Sequence, residues 1–146
     1  MKIPKRLLSP NYLKIPLFLS ITLTAIAGIS TKFYTGWGRE WVNDSAGDIL
    51  YELFWCLILF TFFSRKEQIF PICLGVFIFT CSLEFLQLWH PPILEFWRSH
   101  FLGKLLLGTT FVWWDFPHYF LGCILGWWYL HRLVKLSPSS KSRINY

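Results

Sequence analysis

The chain has 146 residues, of which 54% are hydrophobic, 21% aromatic and only 15% charged. Soluble globular domains carry about 25% charged residues, so this composition excludes an ordinary water-soluble domain and indicates a membrane protein. The formal net charge of +6 does not indicate a nucleic-acid partner, because the basic residues lie at the chain ends and in short loops.

Four apolar stretches are long enough to cross a hydrocarbon core, which takes about 20 residues of helix. We predict spans at residues 15–34, 47–64, 69–89 and 115–131. Residues 25–27 resemble a signal-peptide cleavage site, but the apolar run continues, and we interpret it as an uncleaved anchor. The sequence therefore predicts an all-α membrane protein with one domain and a disordered tail at residues 137–146.

The segment between the third and fourth spans is too polar to cross a membrane simply. Residues 92–114 include Glu95, Arg98, His100 and Lys104. In the same segment Ile93, Trp97 and Phe101 recur at the spacing of one helix face. We predict a helix in the membrane interface, followed by a glycine-punctuated turn or a re-entrant segment.

The distribution of lysine and arginine predicts the orientation. With four spans, one side of the membrane holds ten of the 14 basic residues, and these lie in both termini and the 65–68 turn. The other side holds Lys32, Arg39, Arg98 and Lys104. The positive-inside rule then places both termini in the cytoplasm and both longer loops outside.

Polar side chains lie at membrane depth near the outer ends of the spans. An ionisable group in this position is costly, so it needs a partner or a task. We predict one shallow, outward-facing ligand site formed by Asp48, Glu52, Glu84, Gln87, Arg98, Asp115, His118 and Tyr119. No metal or cofactor is expected, because no metal-ligand motif frames the histidines and the four cysteines lie in apolar runs without zinc-ligand spacing.

Structural interpretations of these residues remain open. Asp115 can be the N-cap of the fourth span, and Asp48 follows Ser45 at capping-box spacing. Glu84 has no helix end within one turn. An ion pair between Glu84 and Arg98, holding the outer segment down, is therefore the alternative to a ligand role.

Two glycines indicate close helix packing in the fourth span. Gly122 and Gly126 form a GxxxG motif, and they share one helix face with Asp115 and Tyr119. Small residues at this spacing let two backbones approach closely, so we predict that this face packs against a neighbouring helix.

The polar and glycine pattern resembles known families. Glu84-x-x-Gln87, Arg98, Asp115, Tyr119 and the two glycines resemble a group of small bacterial integral membrane proteins classed only as a domain of unknown function. The pattern is also distantly similar to the VanZ-like family, which has Asn where this chain has Tyr119 and a shorter interval between its Arg and its Asp. The similarity covers about residues 36–130. It implies a bacterial inner membrane and, for VanZ-like proteins, an association with low-level glycopeptide resistance.

Three functions are compatible with this sequence. The preferred one is non-enzymatic binding of a lipid or lipid-linked headgroup at the outer leaflet, with Arg98 holding an anionic headgroup. The first alternative is a structural or assembly subunit, in which the GxxxG face and the aromatic surface contact a membrane protein partner or a second copy of the chain. The second is an intramembrane enzyme, with Glu84 or Asp115 as general base and His118 as acid or base.

Overall fold

The computed structural model describes residues 10–136, and all regular secondary structure in that range is helical, which confirms the all-α prediction. In chain order the helices are α1 (Pro10–Thr31), α2 (Arg39–Trp41), α3 (Gly47–Phe63), α4 (Ile69–Gln87), α5 (Pro92–Arg98), α6 (Phe101–Leu107) and α7 (Asp115–Leu136). A π-helical turn at Val42–Ala46 precedes α3, and a 3₁₀ turn at Lys66–Gln68 precedes α4. The tail for which the sequence predicts disorder lies outside the described residues.

Three helical stretches are long and apolar enough to cross a membrane. Within the described range they are Leu13–Thr31, Arg39–Phe63 and Lys66–Gln87. By length and hydropathy, the structure supports three of the four predicted spans. The helix that falls short is α7, which has 22 residues but is less apolar, because it includes Asp115, His118, His131, Arg132 and Lys135.

The bundle is organised around α3. This helix packs against α1, α4 and α7, and α4 also packs against α7. The apolar core gathers at one end of the bundle, which we call the closed end, and includes Leu17, Leu57, Phe60, Ile69, Ile72, Val76, Leu130 and Val134. A hydrogen bond between the hydroxyl groups of Ser20 and Tyr129 also joins α1 to α7. At the opposite end, which we call the open end, the helices enclose a cavity instead of a core.

Helices α7 and α3 approach each other closely at the two glycines of the GxxxG motif. A Cβ atom added to Gly122 would lie 2.5 Å from the Cβ atom of Glu52 and 2.8 Å from the carbonyl oxygen of Ile49. One added to Gly126 would lie 3.1 Å from the Cβ atom of Cys56. The GxxxG face of α7 is therefore occupied by α3 of the same chain.

The start of the second span differs from the capping-box prediction. Ser45 lies inside the π-helical turn, and Ala46 keeps helical dihedral angles without capping α3. The backbone thus remains helical from Arg39 onward, and no N-cap is needed at Ser45. The π turn widens the helix locally at residues 42–46, a type of distortion often found beside functional sites.

The segment at residues 92–114 contains two short helices and a loop. The chain becomes extended at His100, so Phe101 starts a new helix instead of continuing the face of Ile93 and Trp97. All three side chains are nevertheless more than half exposed, at 68% for Ile93, 57% for Trp97 and 53% for Phe101. The apolar face predicted from sequence is present, but it is divided between α5 and α6.

The α3–α7 contact leads to a first prediction. Gly122→Ala should lower the free energy of unfolding by about 1–3 kcal/mol, the usual cost of forcing an extra methyl group into a packed interface. Gly75→Ala is the matched control, because nothing lies within 4 Å of its Cβ position on α4. That control should be neutral, or stabilising by up to about 1 kcal/mol through helix propensity. Thermal unfolding in detergent measures both, and equal melting temperatures would contradict the close contact.

Candidate ligand site

A cavity of about 490 Å³ lies at the open end, between α1, α3 and α4 and beneath α6 and the loop that follows it. Its volume is within the range of small-molecule sites, roughly 300–1,000 Å³. The polar part of its wall includes Lys32, Asp44, Asp48, Glu84, Gln87, Lys104, Asp115 and Tyr119. The apolar part includes Ala25, Ile29, Leu50, Phe54, Leu83 and Leu105. The cavity is therefore amphipathic.

The structure brings five of the eight predicted site residues to this cavity. They are Asp48, Glu84, Gln87, Asp115 and Tyr119. The other three predicted residues, Glu52, Arg98 and His118, do not line it. The contacts of each of these three side chains explain why it lies elsewhere.

Glu84 is the most highly connected polar group of the site. Its side chain is 1% exposed, and it accepts hydrogen bonds from Tyr119 Oη at 2.5 Å and from Gln87 Nε2 at 3.1 Å. The backbone N–H of Val112 approaches the other carboxylate oxygen at 3.4 Å. A buried carboxylate is tolerated when donors surround it in this way. Glu84 thereby connects α4 to α7 and to the loop that covers the cavity.

Glu52 lies one helical turn deeper than Asp48 and does not face the cavity. It is fully buried, and its carboxylate accepts a hydrogen bond from the hydroxyl of Thr80 and one from Cys123 Sγ at 3.3 Å. The outward-facing position expected from its place one turn after Asp48 is not observed, because α7 packs against this side of α3 at Gly122. Glu52 therefore separates the cavity from the apolar core.

Arg98 donates hydrogen bonds to backbone carbonyl groups at the end of α4. Its guanidinium donates to the carbonyl oxygens of Leu86 and Trp89, both at 3.0 Å, at the C-terminus of α4, where carbonyl groups lack the regular intrahelical donor. It also approaches Glu95 at 3.3 Å, and this is its ion pair within the part of the chain that the structure describes. The expected pair between Glu84 and Arg98 is therefore replaced by one between Glu95 and Arg98.

The partner of Arg98 is itself supported by a histidine. His90 Nδ1 lies 2.8 Å from the Glu95 carboxylate, and this hydrogen bond, followed by the one from Arg98, lowers the pKa of Glu95 below its usual value. Glu95 consequently stays ionised as a partner for the guanidinium. Because Glu95 is exposed, the pair orients α5 more than it stabilises the fold.

The loop and helices above the cavity are held by further hydrogen bonds and by one special backbone conformation. Tyr51 Oη donates to the carbonyl oxygen of Leu106 at 3.0 Å, which connects α3 to the end of α6. Gly108 then turns the chain with a φ of +65°, and a Cβ atom there would lie 2.3 Å from Gln87 Nε2. Only glycine fits this position without strain. We refer to residues 92–114 as the cover.

Asp48, Asp115 and His118 form a cluster between α3 and α7. One ligand atom from each lies within 4.8 Å of the other two. Asp115 is the first residue of α7, where a negative charge interacts favourably with the helix dipole. His118 Nδ1 lies 2.6 Å from the carbonyl oxygen of Trp114, which fixes the ring beside the two carboxylates. Carboxylate oxygens and an imidazole are ligand types that divalent cations accept.

Several cavity residues carry no distinctive sequence signal. Lys32 and Lys104 line the wall, but in the sequence they serve only as loop charges for assigning orientation. Asp44 lies in the π-helical turn, which sequence periodicity does not reveal. Thr80 is an exception. It lies one helical turn before Glu84 on the same face of α4, and this spacing indicates that it belongs to the same site.

The fold and the cavity define an all-helical protein whose longest apolar helices can cross a membrane. The model of the family described as "Protein of unknown function (DUF2809)" matches residues 37–123. Because this match covers more than half of the chain, the protein belongs to that family, and the resemblance to an uncharacterised domain family is confirmed. The matched range contains α3 to α6, the cover and the first part of α7, whereas α1 lies outside it. No curated protein and no solved structure matches the chain.

The hydrogen bonds of Glu84 lead to a second prediction. Tyr119→Phe should destabilise the protein by about 1–3 kcal/mol, because it leaves a buried carboxylate oxygen without its closest donor. In a double-mutant cycle with Glu84→Gln, the two changes should couple by at least about 0.5 kcal/mol. The comparison cycle of Glu84→Gln with Arg98→Gln should be additive within about 0.5 kcal/mol, since these residues are not paired. Melting in detergent measures both cycles, and coupling in the second but not the first would refute the assignment.

Proposed function

We propose that the chain is a four-span integral membrane protein that binds a lipid or lipid-linked headgroup in its cavity without catalysis. The observation that carries the proposal is the amphipathic wall of the cavity, with charged groups at the outer ends of α3, α4 and α7 and apolar groups on α1 and α3. A lipid has the same two-part character. Helices of membrane length on three sides of the cavity give its apolar part a hydrocarbon surrounding.

The surface of α7 supports a fourth span. Its 22 residues extend over about 33 Å at 1.5 Å per residue, which matches the hydrocarbon core. Its charged residues lie in the first turn and the last two turns. Between them the exposed side is apolar, with Phe120, Leu121, Ile124, Leu125, Trp127 and Trp128 each 41–55% exposed. A face of this kind is unfavourable in water and favourable against lipid.

The cover has the surface of an interfacial element. Large side chains on and beside it are more than half exposed, among them Trp89, Ile93, Phe96, Trp97, Trp113 and Trp114. Tryptophan is enriched where hydrocarbon meets headgroups, because its ring is apolar and its N–H is polar. With the ten-to-four asymmetry of basic residues, this supports an outer-leaflet site in a bacterial inner membrane with both termini cytoplasmic.

The structure weakens one of the two alternative functions and leaves one observation in favour of the other. An assembly subunit would need an interface other than the GxxxG face, since α3 occupies that face. An intramembrane enzyme keeps one observation in its favour, the closeness of His118 to Asp48 and Asp115. Turnover of a headgroup that is lost in His118→Gln would favour the enzyme over the binding protein.

Topology provides the third prediction. Reporter fusions at Gln68 and after Leu136 should read cytoplasmic, whereas fusions at Asn43 and Ser99 should read extracytoplasmic, because of the positive-inside asymmetry. The fusion after Leu136 tests α7 specifically. If α7 does not cross the membrane, that fusion will report the same side as Ser99, and the four-span proposal fails.

Filling the cavity provides the fourth prediction. Gly28 lines the apolar wall, and its Cβ position lies 3.7 Å from Leu50, so Gly28→Phe should fold while occupying space that a lipid chain needs. We expect at least about a tenfold lower fraction of lipid-bound protein in native mass spectra, the equivalent of about 1.4 kcal/mol. Gly75→Phe is the matched control, because its side chain enters open space on the outside of α4. Undiminished lipid retention by a folded Gly28→Phe protein would contradict binding in the cavity.

A further inference from the structure

Two carboxylates of the cavity wall lie close together, and the imidazole of His118 lies within 4.8 Å of both. Oxygen atoms of Asp48 and Asp115 lie within 4.8 Å of one another, and neither residue belongs to an ion pair formed within residues 10–136. Both side chains are half-buried. Two like charges at this distance repel each other unless a proton or a cation lies nearby. This part of the wall is therefore suited to a positively charged group.

A second observation comes from Gln87, which lines the same cavity. Its side chain is 5% exposed, its Nε2 donates to Glu84, and its Oε1 has no hydrogen-bond partner. A buried amide oxygen without a donor costs about 1–3 kcal/mol. The wall therefore still needs a hydrogen-bond donor, either N–H or O–H, at Gln87 Oε1. Glu84 does not share this need, since Tyr119, Gln87 and Val112 already donate to it.

The positive groups of the cavity are two exposed lysines. Lys32 Nζ donates to the carbonyl oxygen of Asn43 at 2.6 Å, which holds it at the outer end of α1. Lys104 lies on α6 in the cover. Each ammonium group is a point charge able to bind a phosphate. The wall of this one cavity thus includes two neighbouring carboxylates, an amide oxygen and two lysines able to bind phosphate.

We infer that the cavity selects a zwitterionic lipid whose headgroup carries a primary ammonium next to a phosphate, as in ethanolamine phospholipids. This inference rests on the proposed lipid-binding function and specifies its ligand class. The ammonium group binds between Asp48 and Asp115 and donates to Gln87 Oε1. The phosphate binds at Lys32 and Lys104, and the acyl chains lie along the apolar wall. A trimethylammonium headgroup carries the same charge but has no N–H to donate.

The test uses the full chain in nanodiscs that contain equal parts of phosphatidylethanolamine, phosphatidylcholine and phosphatidylglycerol with identical acyl chains. Native mass spectrometry after release then counts the lipids that remain bound. We expect phosphatidylethanolamine to be retained about tenfold more than either other lipid, the effect of one good charge-assisted hydrogen bond. The double variant Asp48→Asn with Asp115→Asn should remove this preference. Glu67→Gln, which changes an exposed acid in the 3₁₀ turn outside the cavity, should keep it.

A second variant keeps the inference testable if the double variant does not fold. Gln87→Met removes the unpaired amide oxygen with little change in size, and it should lower retention of phosphatidylethanolamine without changing that of phosphatidylcholine. Equal retention of all three lipids by the unchanged protein overturns the inference but leaves the proposed function intact. Retention of no lipid overturns both. One bound Mg²⁺ or Ca²⁺ that is lost in the double variant, without headgroup preference, overturns the inference in favour of a divalent-cation site.

Discussion

Two buried carboxylates, Glu52 and Glu84, set the constraint on which the bundle depends. A carboxylate enclosed by apolar helices must find its donors within the protein, because no water is there to supply them. Glu52 takes donors from α4 and α7, and Glu84 takes donors from α4, α7 and the cover. Each carboxylate can be satisfied only if these elements keep one relative position. The polar network therefore specifies an arrangement that apolar side chains alone would leave less well defined.

The uneven packing of the bundle explains how a small protein can hold a cavity. At the closed end, apolar side chains from all four long helices fill the interior. At the open end, Ala25 and Gly28 of α1 are small residues and leave space. Polar side chains from α3, α4 and α7 line this space but do not fill it. The core stabilises the helix arrangement from one end, and Glu52 closes the boundary between the two halves. The cavity is therefore separate from the core that stabilises the bundle.

The role of Arg98 changes the chemistry expected of the site. A guanidinium near the membrane surface is suited to an anionic headgroup, but here it is 4% exposed and directed at the carbonyl groups that end α4. Its removal from the cavity wall leaves four carboxylates there against two lysines. For the proposed lipid-binding function, this balance favours a headgroup that includes a positive charge over a purely anionic one. The arginine instead keeps the cover in place above the cavity.

The sequence by itself determined the helical class, the approximate positions of the long helices and the small face of α7. These properties follow from hydropathy and helical periodicity, which are local. Periodicity also predicted that polar residues of α3, α4 and α7 meet at one end, since each helix presents one face to its neighbours. For Asp48, Glu84, Gln87, Asp115 and Tyr119 this was sufficient, because each lies on a cavity-facing side within a turn or two of its helix end.

Only the tertiary structure decided the partners of Arg98, the burial of Glu52 and the closeness of Asp48 to Asp115. Helical periodicity gives the direction of a side chain from its own helix, but not the distance to the next helix or the offset along it. The close packing of Gly122 against α3, where an added Cβ atom would lie 2.5 Å from the Cβ atom of Glu52, decides that Glu52 is enclosed. The path of the chain at residues 88–91, which brings α5 back to the end of α4, decides that Arg98 reaches Leu86 and Trp89. Both depend on contacts between residues far apart in the chain, which no local pattern encodes.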